Sequence, residues 1–483
     1  MDDIGGHAVW ARDEFGGVML ADVRHVRRLE AMASSLASRP AGSVAGAFCN
    51  EREARAAYEF LEHPDVDWRD VADGSHRACA MRCTEQSLII AAIDGSSWTF
   101  TDTSRSKGLG PVGSRTCGAQ GVKVMTAYAM SPEGIPLGVL AQGLWVRSQD
   151  PNPVEDAKRP LNEKESRWWT ELQAQCEEQF LGVASHRRPQ VWYQMDREAD
   201  QVPVLLRSVM PGVLLTVRAD HNRVLAARTL DNDLLKVRDV LEQTPVQGHA
   251  HVRIARNGKR QPRVATVAVS FVDVSLCLRA RWSHRFVANA SVTVVHVREI
   301  GAPDDDPIEW TLYTTYPVHE LRDALEVVRA YALRWRIERM HYTTKTGAGH
   351  LNDSQLRSFD ALAKWITLHS AVASRLQHIL YRSRDEPDVP AIEEFSSDEI
   401  EATLLLREQQ DANTYPADRS PSLSELVLFI ARLGGYMGLK RTGGPPGIKI
   451  FERGFLRVEA ASCVVAALRA RGRTHGAIDG SNA

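Results

Sequence analysis

The chain has 483 residues, 43% of them hydrophobic and 25% charged, which is ordinary for a globular protein and enough for a sizeable core across about three domains. No apolar run approaches the ~18 residues of a membrane span, and the opening MDDIGGHAVWARDEF has neither a basic nor an apolar leader region, so a cytoplasmic protein is expected. The formal net charge of −2 does not announce nucleic acid, but its distribution is uneven: residues 201–300 hold fifteen Lys or Arg against seven Asp or Glu, while residues 1–75 hold eight against fourteen. The seven cysteines, an odd and scattered set, read as reduced thiols.

The first ~85 residues are predicted helical, with apolar spacings of three and four in ADVRHVRRLEAMASSLA (21–37) and EREARAAYEFLE (51–62). His76, Cys79 and Cys83 have the residue types of a zinc half-site, but no second cluster completes it and their spacing also suits one helix face. SLIIAAIDGSSWTF (87–100) reads as a strand ending at Asp94 in an Asp-Gly turn. KGLGPVGSRT (107–116) contains a GxGxxG string, yet Pro111 and the lack of a following helix pattern make it a loop. Two β-rich runs around SPEG (121–146) predict a hairpin, and PQVWYQMDREAD (189–200) predicts a second short strand stopping at Asp196. Residues 205–317 look like a β-rich insertion, with Arg253, Arg256, Lys259, Arg260 and Arg263 around an Asn-Gly turn in a basic hairpin arm. Helices resume after 320, a polar linker is expected at 384–400, and two amphipathic helices (roughly 421–434 and 451–471) close the chain.

One of these helices carries a question of its own. On an ideal helix at about 100° per residue, Tyr331, Arg334, Glu338 and Lys345 fall within roughly 60° of arc. A tyrosine, an arginine, a carboxylate and a lysine on one stripe fit neither an apolar core face nor an unordered solvated one. Two strand-end aspartates and one helix glutamate are the oxygen donors that Mg²⁺ prefers, and two such ions can clamp an in-line displacement at phosphorus. Taken singly, Asp94 suits a turn, Asp196 a cap and Glu338 a helix surface.

Tyr331-x2-Arg334-x3-Glu338-x6-Lys345, within RWRIERMHYTTKTGAG, resembles the Y-R-E-K signature of the bacterial cut-and-paste DDE transposases of insertion-sequence group four. MDREAD, NEKES (162–166) and EAR-AAYEFL agree in kind and order, over nearly the whole chain. The resemblance implies an α/β protein with an RNase H-like catalytic core interrupted by a β-rich insertion and flanked by helical N- and C-terminal domains. It implies end binding by 1–85, catalysis by 86–375 with the insertion at about 201–325, and dimerisation by 376–483. It makes Asp94, Asp196 and Glu338 the catalytic, metal-holding triad, with two Mg²⁺ ions that Mn²⁺ can replace. Tyr331, Arg334 and Lys345 would hold phosphates near the scissile bond, Trp310 a flipped-out base of a hairpin intermediate, and Arg218 and the basic arm further DNA. The implied partners are double-stranded terminal repeats, target DNA and a second copy of the chain in the synaptic complex, which places the protein at the bacterial nucleoid. The sequence departs from the family at Gly95, where Ser or Thr is usual, and at Leu439 and Thr442 in the C-terminal loop. Two rival readings share these residues: a catalytically silent or domesticated DNA-binding regulator, and an RNase H-like nuclease that cuts without joining.

Overall fold

The fold is built outward from the strand β1 (Leu88–Phe100). In the computed structural model, residues 6–479 are described apart from 49, 114–117, 149–158, 161–162, 229–230, 255–262, 280–284, 302–306, 412–414, 417–418 and 439–443. Ile89, Ala91 and Ile93 of β1 enter one apolar cluster and Ile90 and Ala92 another, so both faces are covered. That is why this strand reads as an unbroken apolar run instead of an alternating one. Along one edge β1 pairs antiparallel with β3 (Gln120–Met130), which carries β4 (Pro136–Trp145) and the two-residue β2 (Gly110–Pro111) on its other side. The expected hairpin around SPEG is β3–β4, with Gly134 of its turn at φ +96°. Along the other edge β1 pairs parallel with β5 (Gln190–Met195), and β5 with β6 (Leu214–Arg218). Three antiparallel strands followed by two parallel ones, in the order β4-β3-β1-β5-β6, form an RNase H-like core.

The β-rich segment continues this sheet. β12 (Glu309–Thr314) pairs with β6, followed by β11 (Phe286–Glu299), β10 (Arg263–Arg279), β7 (Val224–Arg228) and β8 (Leu234–Lys236), with β9 (Gly248–Ile254) also on β10. The whole sheet has twelve strands. The first strand after residue 201, β6, belongs to the core by its parallel pairing with β5.

One face of the sheet packs on α5 (Trp68–Cys83) and α6 (Trp168–Glu178). The other packs on α9 (Leu321–Leu333) and α10 (Trp335–Lys345). Behind these lies α11 (Phe359–Asp385), buried nearly all round and capped by Ser358. Its core holds Trp365 and Leu368 together with Leu29 and Leu36 of α2 (Val23–Ser38), Phe60 of α4 (Glu51–Leu61), Ile430 of α13 (Leu423–Leu433) and Phe451 of α14 (Ile448–Asp479). The helical N- and C-terminal regions therefore share one core with α11. Helices α1 (Gly6–Phe15), α3 (Val44–Ala47), α7 (Val202–Leu206), α8 (Val237–Gln243) and α12 (Ser397–Asp411) complete the described elements.

Three local expectations change. β1 does not stop at Asp94: it runs on to deliver Trp98 and Phe100 to the α11 core, and their burial outweighs the Asp-Gly turn signal. The helix through 331–345 is two, tightened at Arg334, where the bonds Arg334 N–H to Tyr331 O and Ile337 N–H to Arg334 O span three residues. The polar stretch 384–400 lacks α-helix only between Asp385 and Ser397, where it forms a 3-10 turn at Ala391–Glu393 and buries Ala391 and Phe395. His76, Cys79 and Cys83 lie on the buried face of α5, and all described cysteines are free. Among the described residues no helix is long and apolar enough to cross a membrane.

Candidate active site

The parallel ladders end together. β1 and β5 pair up to Ile93 and Met195, and β5 and β6 up to Met195 and Val217. The next residue on each strand is Asp94, Asp196 and Arg218, so the register sets these three side by side in one row. Strand alternation puts them on the face of Ile90, Trp192 and Leu214, the face covered by α9 and α10. Asp196 is past the last pair but still extended (φ −82°, ψ −171°), so the alternation carries through to it. Two carboxylates separated in sequence by a hundred residues become neighbours through register alone.

Glu338 reaches the row from the first turn of α10 through Arg334. The Arg334 guanidinium donates to Glu338 Oε1 at 2.9 Å and to Asp94 Oδ2 at 3.3 Å. It is 6% exposed, and its Nε has no partner among the described residues. Asp94 Oδ1 accepts the Gly95 N–H at 2.8 Å, and Asp196 Oδ1 caps a short 3-10 turn through the Glu198 N–H at 2.8 Å. Burial pushes the Asp94 carboxyl up to about 7; Asp196 and Glu338 push the same way and Arg334 opposes them. Glu338 is also raised, chiefly by burial, and Arg334 again opposes the shift.

Tyr331 is buried beside Trp310, their rings edge to face with centroids 5.2 Å apart, and Arg334 lies 5.8 Å from the Tyr331 ring. Trp310 itself is 6% exposed on β12, opposite Val297. Arg218, half-buried, donates to the Glu309 carbonyl at 3.1 Å. Lys345 has no ion-pair partner among the described residues; burial first, and then Lys123, push its ammonium down to about 8. The Arg253 backbone belongs to β9, whereas its side chain and Arg256, Lys259 and Arg260 lie outside the described residues, as do Leu439 and Thr442.

Lys123 is the residue that motif reading passes over. It lies on β3 and donates to Ser97 Oγ at 3.0 Å, three residues beyond Asp94. Burial and the nearby Arg147 lower its pKa. A lone lysine inside the apolar run GVKVM was the only signal available for it.

Among the described residues no three His, Cys, Asp or Glu side chains converge as an ion cage; Arg334 stands between two of the three carboxylates instead. The donor set nevertheless suits a hard divalent cation: the carboxylates offer oxygen only, and Asp94, raised by burial and then by its acidic neighbours, lacks positive charge that Arg334 only partly supplies.

Residues 7–66 match the family model for transposase DNA-binding, and residues 199–375 match the model for a transposase DDE domain. The first match spans α1 to α4. The second contains Arg218, Trp310, Tyr331, Arg334, Glu338 and Lys345 and begins three residues after Asp196. Together they support a DDE transposase that binds DNA.

Proposed function

We propose that the chain is a cut-and-paste DNA transposase of the group-four insertion-sequence kind, with Asp94, Asp196 and Glu338 as its catalytic triad. The observation that supports this best is the row at the end of the parallel ladders, with two aspartates in register and Glu338 drawn to them by Arg334. The three carboxylates would hold two Mg²⁺ ions, or Mn²⁺ in their place. When bound, such ions neutralise charge at the phosphorus and activate the attacking oxygen in an in-line displacement.

The protein's own groups bind and orient the DNA. Arg334 and Lys345, with Tyr331, hold phosphate oxygens beside the scissile bond, and Lys123 adds a second ammonium there. Arg218 and the basic arm extend the contact along the duplex. Trp310, buried beside Tyr331, would stack on an extruded base only after turning out of its packing, a contact worth ~1–3 kcal/mol. One displacement geometry then serves four steps: water nicks the end, the freed 3′-hydroxyl forms a hairpin, water reopens it, and the 3′-hydroxyl joins target DNA. The 1–85 region holds the transposon end, and the 376–483 region pairs two copies so that both ends are cut together.

The test uses the full chain and a labelled duplex of the element's terminal repeat, with Mg²⁺, Mn²⁺ or EDTA. Metal-dependent nicks at the repeat boundary, followed by hairpins, are expected, and Glu338→Gln should abolish both while leaving end binding intact. Specific binding with no cleavage in either metal would replace this reading with that of a silent regulator. Equal loss of binding and cleavage in Glu338→Gln would make Glu338 a structural residue.

A further inference from the structure

Helix α10 ends abruptly just after Lys345. The Thr346 and Gly347 N–H groups both bond to the Tyr342 carbonyl, at 3.0 and 2.8 Å, and the Gly349 N–H bonds to the Thr343 carbonyl at 3.0 Å. Glu452 of α14 lies over this turn. Its Oε1 accepts the Thr343 hydroxyl at 2.5 Å, and the Ala348 N–H lies close enough to favour its charged form. Thr343 and Ala348 bracket Lys345 on either side. Gly347 makes the approach possible, since a Cβ there would lie 2.8 Å from Glu452 Oε2 and 2.7 Å from Thr343 Cα.

Glu452 is 4% exposed and forms no ion pair among the described residues. A buried carboxyl without an ion-pair partner is costly, and here the Thr343 hydroxyl and the nearby Ala348 N–H offset that cost. Its place on the molecule is fixed independently by a glycine crossing. A Cβ on Gly454 would lie 1.7 Å from the Ile430 carbonyl oxygen, and one on Gly434 would lie 1.9 Å from that of Ile450, so α13 and α14 touch backbone to backbone. Helix α14 therefore cannot shift along α13 without a clash. Seven residues further along, Glu459 accepts from Arg39 Nε at 2.7 Å, tying the same helix to the end of α2.

We propose that Glu452 is a positioning residue for Lys345, acting through Thr343 and Ala348. This rests on the reading of Lys345 as a phosphate-holding residue. Lys345 is half-buried and has no partner to aim it, so its direction depends on the last turn of α10. The clasp from α14 holds that turn on both sides of it.

The test compares Glu452→Leu, Thr343→Val, their double variant, Glu452→Gln and Lys345→Ala in the full chain. The readouts are single-turnover nicking and end-binding Kd on the terminal-repeat duplex. Misplacing a phosphate-holding group should slow nicking about tenfold to a hundredfold in each of the first two variants. The double variant should be no slower than Glu452→Leu alone, which already removes the bond that Thr343→Val removes. Glu452→Gln, which keeps an acceptor oxygen, should recover most of the rate, and end-binding Kd should stay at the wild-type value in all the Glu452 and Thr343 variants. Wild-type nicking in Thr343→Val while Lys345→Ala is slow would overturn the proposal alone, as would losses that follow end binding. Wild-type nicking in Lys345→Ala would overturn the Lys345 assignment and the proposal with it.

Discussion

Replacing Asp94 by Asn tests the electrostatics of the site without any DNA. The Asp94 carboxyl is raised from 3.8 to about 7 by burial, then by Asp196 and Glu338, even with Arg334 beside it. Its side chain is 16% exposed, so solvent screens little of this. A shift of about three units corresponds to ~4 kcal/mol at ~1.4 kcal/mol per unit. Because the folded pKa lies above the unfolded one, the native state holds the extra proton between pH 3.8 and about 7. The stability associated with that proton is fully present below the lower value and lost as pH rises through the upper one. Asparagine resembles the protonated carboxyl at every pH. Asp94→Asn should therefore stabilise the metal-free protein by less than ~1 kcal/mol near pH 4, rising to ~4 kcal/mol above pH 7. Paired urea titrations of both proteins in EDTA at several pH values would measure the difference. Added Mg²⁺ at pH 8 should stabilise the wild type and shrink that difference, since a cation among the carboxylates favours their charged forms. A gain that is the same at pH 4 and pH 8, or a variant less stable than the wild type at pH 8, would refute the claim that burial and the neighbouring acids hold a proton on Asp94.

Two further outcomes concern groups around the triad. Trp310→Ala should slow hairpin formation more than first-strand nicking in a time course on the labelled end; unchanged hairpin yield would remove the extruded-base role. Trp310→Phe is the companion variant, because truncating a buried tryptophan to alanine costs ~3–5 kcal/mol of stability by itself. Lys123→Ala should weaken DNA binding about equally for every sequence and reduce the slope of log K against log salt by about one charge. An unchanged slope would separate Lys123 from the phosphate path.

What the sequence revealed of the site was its chemistry, and what it concealed was its register. The stripe of Tyr331, Arg334, Glu338 and Lys345 was legible because helical spacing is local, and the tightening at Arg334 alters it little. Asp94 and Asp196 were legible as acids near strand ends, but their adjacency depends on the parallel pairing of β1 with β5, a long-range fact. The Asp94-Gly95 pair gave a false turn signal because the gain from burying Trp98 and Phe100 comes from a core assembled by distant helices. Near Gly95 a Cβ would meet Met125 Sδ at 3.3 Å, so its neighbour across the ladder constrains it where the turn signal suggested bending. Glu452 gave no signal at all, since its proposed role depends on Gly347 leaving room for its side chain and on Gly434 and Gly454 meeting the backbone of the facing helix.

Arg334 connects the electrostatics of the site to its chemistry. A guanidinium that bonds both Asp94 and Glu338 supplies positive charge at the place where the proposed reaction needs cations. It holds three mutually repelling acids within one half-buried site until something of higher charge arrives. Lys would be a poorer substitute, because its compact ammonium lacks the rigid planar fork that spreads donors toward two carboxylates. On the proposed reading, cations on the carboxylates would free both Arg334 donors for the phosphate. The residue that offsets the repulsion among the acids would then also bind the scissile group, and its place at the junction of α9 and α10 keeps the two roles within one side chain's reach.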